Sequence, residues 1–389
     1  MTTLNIEKRI KRHVIGSRLD FFAATLPGCE SYCRQTLTGL SPSIKVAGTV
    51  RGGVLFDGRL TDLYLANLHL RTAGRVLLRL ASFRATAFRQ LEKKASAIAW
   101  SLYLPSGALP HLDATARRSR LHHSGAIEER IGRCIGAHWE AMGIAPAPEP
   151  QQRLLIRLDN DRVTISLDSS GDNLYRRGLK IHRVGAPLRE TMAAFILARS
   201  GYRPDLPVID PMCGSGTFSL EAALMAKAIP AGYHRSFAFM QWPAFRSRQW
   251  QYIKNTAARG IRQIARPLIR ASDLDRTACS ALSACVAGNG LEDVIQVRHG
   301  DFFDLQVKHL QGPPGLVVLN PPYGRRLGAE TDIERFYRQI AAKLIRDFKT
   351  WQVALLVPGR QLARRLPLSF NALPLEHGGL KVTLLSGRI

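Results

Sequence analysis

The sequence is short of acid. It holds 30 Asp and Glu against 55 Lys and Arg, for a formal charge of +25 and a pI near 10.6. That imbalance exceeds what solubility needs and points to a polyanionic partner. Basic residues recur in every segment, which favours nucleic acid over a small acidic substrate, with an anionic membrane surface as the competing reading. Long apolar runs are missing, so no segment approaches the ~20 residues a membrane-spanning helix requires. The six cysteines form no C-x-x-C pair and no histidine cluster completes a zinc set, so no metal site is expected. The start is polar and basic rather than apolar, which excludes a secretory signal and implies a reducing, cytoplasmic setting. Internal repeats and low-complexity tracts are also absent.

The most informative stretch is Pro207-Val-Ile-Asp210-Pro211-Met-Cys213-Gly214-Ser-Gly216-Thr217. A short apolar run stops at Asp210, two glycines follow, and an amphipathic stretch begins at Thr217. The pattern is strand, tight loop, helix. Such a loop brings a ligand close to bare backbone and to a helix N-terminus. The dinucleotide fingerprint needs a third glycine, where this chain has Ser219, and an acid about 20 residues on; Asp273 lies far beyond that spacing. No Gly-Lys-Ser/Thr follows, so a P-loop is also excluded.

A second strand, Leu316–Leu319, ends in Asn320-Pro321-Pro322-Tyr323-Gly324. Two prolines cannot donate to a sheet ladder, so the strand stops there and presents Asn320 and Tyr323 on the same sheet edge as Asp210. A rigid loop with an amide and an aromatic ring suits a flat base bearing an exocyclic amine. Asn320 Oδ1 and the Pro321 carbonyl can accept both amine hydrogens, while Tyr323 stacks on the ring.

Asp210-Pro-Met-Cys-Gly-Ser-Gly-Thr together with Asn320-Pro-Pro-Tyr-Gly resembles the class I S-adenosylmethionine-dependent amino methyltransferases. Ala186-Pro-Leu-Arg-Glu-Thr191, Ser272-Asp-Leu-Asp275 and Phe21-Phe-Ala-Ala-Thr25 narrow the resemblance to the bacterial THUMP-containing 23S ribosomal RNA guanine-N2 methyltransferases. It is strong over about residues 168–325, looser over 19–167 and weak at the C-terminus. The resemblance implies an α/β Rossmann-like class I methyltransferase domain with a mostly parallel seven-stranded sheet, preceded by a ferredoxin-like/THUMP α+β RNA-binding region. It divides the chain into a basic arm (1–18), a ferredoxin-like part (19–60), a THUMP domain (61–167), a linker (168–185) and the catalytic domain (186–389).

It also implies S-adenosylmethionine as cofactor. Asp210, Pro211, Cys213, Gly214, Gly216 and Thr217 would border it, Asp273 would take the ribose hydroxyls with Asp275 as the close alternative, and Asp301 would take the adenine amine. Thr191 would border the methionine end. Asn320, Pro321, Pro322 and Tyr323 would hold the target base, and Asn320 would also border the cofactor. RNA is the implied partner, ribosomal RNA first; no feature calls for a membrane or an obligate protein partner. Some family members continue into a second methyltransferase domain; this chain stops at Ile389, so no activity of such a domain is expected of it.

The remaining chain reads in order. Residues 1–18 suggest a mobile basic arm. Residues 19–25 read as a strand, 28–40 as a helix, and 44–56 as a hairpin about Arg51-Gly52. Arg71, Arg75, Arg79 and Arg84 follow, and the spacing of four puts three of these arginines on one face whether the segment is helix or strand. Arg117, Arg118 and Arg120, followed by His122 and His123, would present alternating cations to phosphates if extended. Strands at 153–158 and 163–167 flank an Asn160-Asp161 turn. Between the first two catalytic strands, residues 233–267 interleave aromatics with arginines. They are read mainly as a lid packed on the sheet, with Trp242 as one candidate base contact. Thr331 to Glu334 has the form of a capping box.

A sulfonium already supplies the leaving group, so the chain need only hold the amine in line, worth about 7–11 kcal/mol. Accepting both amine hydrogens frees the nitrogen lone pair without a strong base. Methylation at a pyrimidine carbon would require a cysteine nucleophile, and Cys213, in the cofactor loop, is badly placed for it. The alternatives are a transfer RNA guanine-N2 methyltransferase, an N6-adenine methyltransferase on RNA or DNA, and a non-catalytic RNA-binding assembly factor.

Overall fold

The computed structural model describes residues 3–147, 152–179, 188–307, 312–322, 332–377 and 379–389. Tyr323, Gly324, Thr331, the Ala186-Pro187 pair and most of the 180s therefore lie outside the described residues. The chain forms two compact units. One contains Met1–Arg177 with Ala231–Thr256, the other Gly178–Pro230 with Ala257–Ile389.

The first unit runs α1 (Thr3–Ile10), β1 (Leu19–Thr25), α2 (Glu30–Leu40), β2 (Lys45–Val50), β3 (Gly53–Gly58), α3 (Leu60–His69), β4 (Ala73–Arg84), α4 (Phe88–Ser96), β5 (His111–Arg117), α5 (Ser124–Glu140), β6 (Arg153–Asp159) and β7 (Arg162–Asp168). Its strands share one sheet of order β2-β3-β1-β4-β7-β6-β5, antiparallel except for the β5–β6 pair. One face carries Phe21, Ala23, Val76, Leu78, Ile156, Ile165 and Leu167, all buried. Asn160 and Asp161 both adopt positive φ (51° and 63°), the twist a two-residue hairpin needs.

Three expectations change here. The N-terminal arm is helical, and Ile10 and Val14 are buried, so it is docked by apolar side chains. The basic stretch is extended only to Arg117. Arg118 turns left-handed (φ 47°) and the Arg120 N–H is held by Asp161 Oδ1, so the cations sit on a turn. The aromatic segment is not a lid on the catalytic sheet, because residues 231–256 leave the second unit and complete the core of the first. Phe239 stacks on Tyr64 at 4.6 Å and Trp250 meets the same ring edge-on.

The second unit contains α6 (Glu190–Arg199), β8 (Val208–Asp210), α7 (Thr217–Ala226), the end of α8 (Ser247–Arg259), β9 (Ile269–Asp273), α9 (Arg276–Gly288), β10 (Ile295–His299), β11 (Leu316–Leu319), α10 (Ile333–Asp347), β12 (Gln352–Pro358), α11 (Arg360–Arg365), β13 (Asn371–His377) and β14 (Leu380–Arg388). Its sheet order is β10-β9-β8-β11-β12-β14-β13, parallel through β12 and closed by an antiparallel pair. This is the seven-stranded, mostly parallel sheet the sequence implies. The chain leaves β8 toward β9 on one side and returns to β11 on the other. That reversal opens a crevice at the carboxyl ends of β8 and β11, where such sheets bind ligands. The Asp332 side chain caps α10 by accepting from Arg335 N, and Glu334 pairs with Arg338 and Arg365; the expected capping box begins at Thr331, which lies outside the described residues.

Candidate active site

A cavity of about 610 Å³ lies at that crevice. Its floor is the loop after β8. Gly214 and Gly216 have φ of 51° and 75°, a region side chains disfavour. A Cβ on Gly216 would lie 2.3 Å from Leu282 of α9, whereas one on Gly214 would meet nothing within 4 Å. Gly216 thus allows loop and helix to pack, and Gly214 leaves the cavity side bare. Pro211, Cys213, Gly214 and Thr217 line the cavity as the sequence suggests, and Met212, Ser215 and Phe218 join them.

The carboxylate of Asp273, at the end of β9, fixes this floor. Its Oδ2 accepts from Gly214 N at 2.8 Å and its Oδ1 from Asp275 N at 3.0 Å. Asp273 also lines the cavity, and its remaining lone pairs could accept from a ligand there. Asp275 lines the rim, and its Oδ1 caps α9 by accepting from Thr277 N. Asp301, after β10, lines the next wall and holds its loop through Phe303 N. Between these acids stand apolar surfaces that the sequence reading missed: Leu188, Leu274, Ala278, Phe302, Phe303 and Phe336. Leu274 was detectable as an apolar residue between two acids; it is 68 % exposed, a cost a covering ligand would remove.

Asn320 closes the cavity at the end of β11. Its Oδ1 is buried and has no hydrogen-bond partner among the described residues. A buried acceptor without a donor costs about 1–3 kcal/mol, so its persistence marks a place where a ligand donor belongs. Pro322 lines the cavity beside it, while Pro321 is buried and is not a lining residue. Tyr323 lies outside the described residues.

Besides Gly216 and Pro321, three further candidate residues do not line the cavity. Asp210 is 1 % exposed and does not line the cavity. Its Oδ2 accepts from Ser219 N and Oγ, tying β8 to the first turn of α7, and burial pushes its carboxyl up to about 7. Thr191 is buried in the first turn of α6 and is not a lining residue. Trp242 is 4 % exposed within the first unit and its indole N–H donates to Gln152 Oε1 at 2.8 Å, so its ring is packed and not presented to a base. Arg117, Arg118 and Arg120 are exposed on the first unit.

Burial, and then Asp210 and Asp273, push the Cys213 thiol above its ordinary range, so the cavity's cysteine is not an activated nucleophile. Among the described residues no cluster of metal-ligating side chains occurs, and no helix is long and apolar enough to cross a membrane.

Comparison with known proteins agrees with this geometry. The family model described as UPF0020, RMKL-like, methyltransferase domain, matches residues 177–374, and that of the RlmL ferredoxin-like domain matches residues 20–77. A Synechocystis protein, slr0064, named for RNA methyl transfer, is 31 % identical over 94 % of this chain and 95 % of its own. The ribosomal RNA large subunit methyltransferase K/L of Syntrophotalea carbinolica is 33 % identical over 95 % of this chain and 53 % of its own. The chain thus spans about half the length of its K/L relatives. A crystal structure of SMU.472, named as a methyltransferase and complexed with SAH, aligns with a TM-score of 0.85 at 26 % identity, covering 95 % of this chain and 98 % of the other. A Listeria monocytogenes structure named for N6-adenine-specific DNA methylation aligns with a TM-score of 0.85 at 25 % identity, over 99 % and 98 % of the two chains. The cofactor is therefore S-adenosylmethionine, and the cavity's donor set fits it: two carboxylates on adjacent strand ends, apolar walls between them and a bare glycine floor.

Proposed function

The chain belongs to the RMKL-like methyltransferase family, and from that premise we propose that it methylates the exocyclic N2 amine of a guanine in 23S ribosomal RNA. The observation that carries the reading is the buried Oδ1 of Asn320 at the cavity, unpartnered among the described residues. The names of the K/L relatives support ribosomal RNA.

When bound, S-adenosylmethionine supplies an electrophilic methyl group with a neutral thioether as leaving group. The chain's residues then have three tasks. Asp273 accepts the ribose hydroxyls while holding Gly214 in place. Asp301 would take the adenine amine, and Leu274 and Phe302, which line the cavity, would supply apolar contact to the ring. Asn320 Oδ1, with the Pro321 carbonyl, accepts the two hydrogens of the target amine. That holds the nitrogen in one orientation and draws its lone pair out of conjugation with the ring. Preorganised acceptors of this kind cost no reorganisation at the moment of reaction. A paired target must first leave its stack.

The likeness to the Listeria structure supports a second reading, N6-adenine methylation, because the same two acceptors suit either amine. Asn320→Ala tests the shared step. The variant should bind S-adenosylmethionine and RNA within about threefold of wild type and lose about 10²–10³ in single-turnover rate, the scale of one lost preorganised contact. A rate within tenfold of wild type would contradict the assignment.

A further inference from the structure

The first unit's sheet has a second face, opposite its packed core. Strand registers place two rows of residues across β4, β7, β6 and β5. One row reads Ser82, Thr164, Arg157, Thr115; the next reads Arg84, Arg162, Asp159, Arg117. Arg84, Arg117, Arg157 and Arg162 are all exposed. Further along the same face, Arg79 lies 4.5 Å over the Phe22 ring and donates to Ser166 Oγ.

The charges on this face are poorly balanced. Arg84 and Arg162 stand directly opposite each other, a like-charge pairing that destabilises a sheet. The arginines lean on hydroxyls: Arg157 on Thr115 Oγ1 at 3.1 Å and Arg162 on Ser82 Oγ at 3.5 Å. Arg84 reaches Asp161 only at 3.8 Å, and Asp159 is the one carboxylate in the two rows. Burial first, and Arg157 second, pull the Arg79 guanidinium below its ordinary value. A flat surface that concentrates guanidinium and hydroxyl donors is complementary to a row of phosphates, and phosphates would relieve the repulsion.

We propose that this open face of β4, β7, β6 and β5 is the docking surface for an RNA strand, with Arg84, Arg157 and Arg162 as its principal phosphate contacts. The proposal rests on RNA being the substrate class. Few aromatic rings are available here to read bases, so the face positions RNA without selecting sequence.

The test uses the full chain and a fluorescent polyuridine strand of about 20 nucleotides, titrated at several salt concentrations. Arg84→Ala/Arg157→Ala/Arg162→Ala should weaken binding at least tenfold and lower the slope of log K against log salt by about 2, at about 0.7 per phosphate contact for single strands. The matching Lys triple variant should keep most of the affinity, which separates lost charge from lost fold. A control triple on exposed helical arginines, Arg34→Ala/Arg89→Ala/Arg133→Ala, should change binding less than threefold. Unchanged affinity in the sheet-face variant, or an equal loss in the control, would overturn the proposal. Methyl transfer that fails with every RNA while polyuridine binding still depends on the face would instead remove the functional reading and leave the surface standing.

Discussion

Asp210 ends the first catalytic strand, yet its work is structural in this geometry. The carboxylate is buried, spends Oδ2 on Ser219 and leaves Oδ1 without a partner among the described residues. Its pKa of about 7, caused first by burial, gives a sign for stability. The native state holds the proton more tightly than the unfolded chain, whose carboxyl titrates near 4. This contribution is full below pH ~4 and is lost as pH rises through ~7. Asp210→Asn keeps an acceptor for Ser219 and does not titrate. Its thermal midpoint, measured without cofactor, should gain on wild type between pH 4 and 8 by on the order of 1 kcal/mol, about 2–4 °C in a domain of this size. A difference independent of pH would mean the buried carboxyl keeps its ordinary pKa. Gly216→Ala is the steric counterpart. It must move Leu282 and strain a left-handed turn, so a loss of about 1–3 kcal/mol is expected from denaturant melts, with weaker cofactor binding.

The loop after β10 is held from outside the cavity. Lys343 of α10 has a side chain only 4 % exposed. Its ammonium donates to the Phe303 and Leu305 carbonyls and to Asp347, so one cation fixes the segment whose inner face carries Asp301 and Phe302. Arg346 first, and Lys343 second, hold the Asp347 carboxyl well below its usual range. Lys343→Met leaves two carbonyls unsatisfied, which should cost about 1–3 kcal/mol of stability. It should also weaken S-adenosylmethionine binding about tenfold in calorimetry. Cofactor affinity equal to wild type would show that the strap supports the fold and not the site.

Elements with strong local signals were legible in the sequence. The β6–β7 hairpin followed from Asn160-Asp161, and the β8 and β11 strand ends from Asp210-Pro and Asn320-Pro-Pro. What was not legible depended on distant partners. Residues 231–256 look like a lid in sequence, and only Tyr64 and Gln152 of the other unit explain why they pack where they do. The N-terminal helix looked like a solvated arm because its two anchors, Ile10 and Val14, are outnumbered by charges. Phe302 and Phe303 could not be distinguished from core residues until the strand ends converged.

At the scale of the molecule, the chain divides its tasks between a basic α+β unit and a methyltransferase unit, and the excess charge of +25 makes RNA capture a salt-dependent step. Raising salt should therefore raise KM for RNA steeply while leaving cofactor affinity nearly unchanged, which filter binding and calorimetry can read separately. The central claim is that Asn320 and its cavity transfer a methyl group to an exocyclic guanine amine of ribosomal RNA. The most direct measurement is transfer from labelled S-adenosylmethionine to total RNA from a strain lacking this protein, with nucleoside analysis of each RNA fraction. N2-methylguanosine confined to large-subunit RNA, and absent with Asn320→Ala, is the predicted result. N6-methyladenosine, label in the transfer RNA fraction, or undiminished label with Asn320→Ala would contradict it.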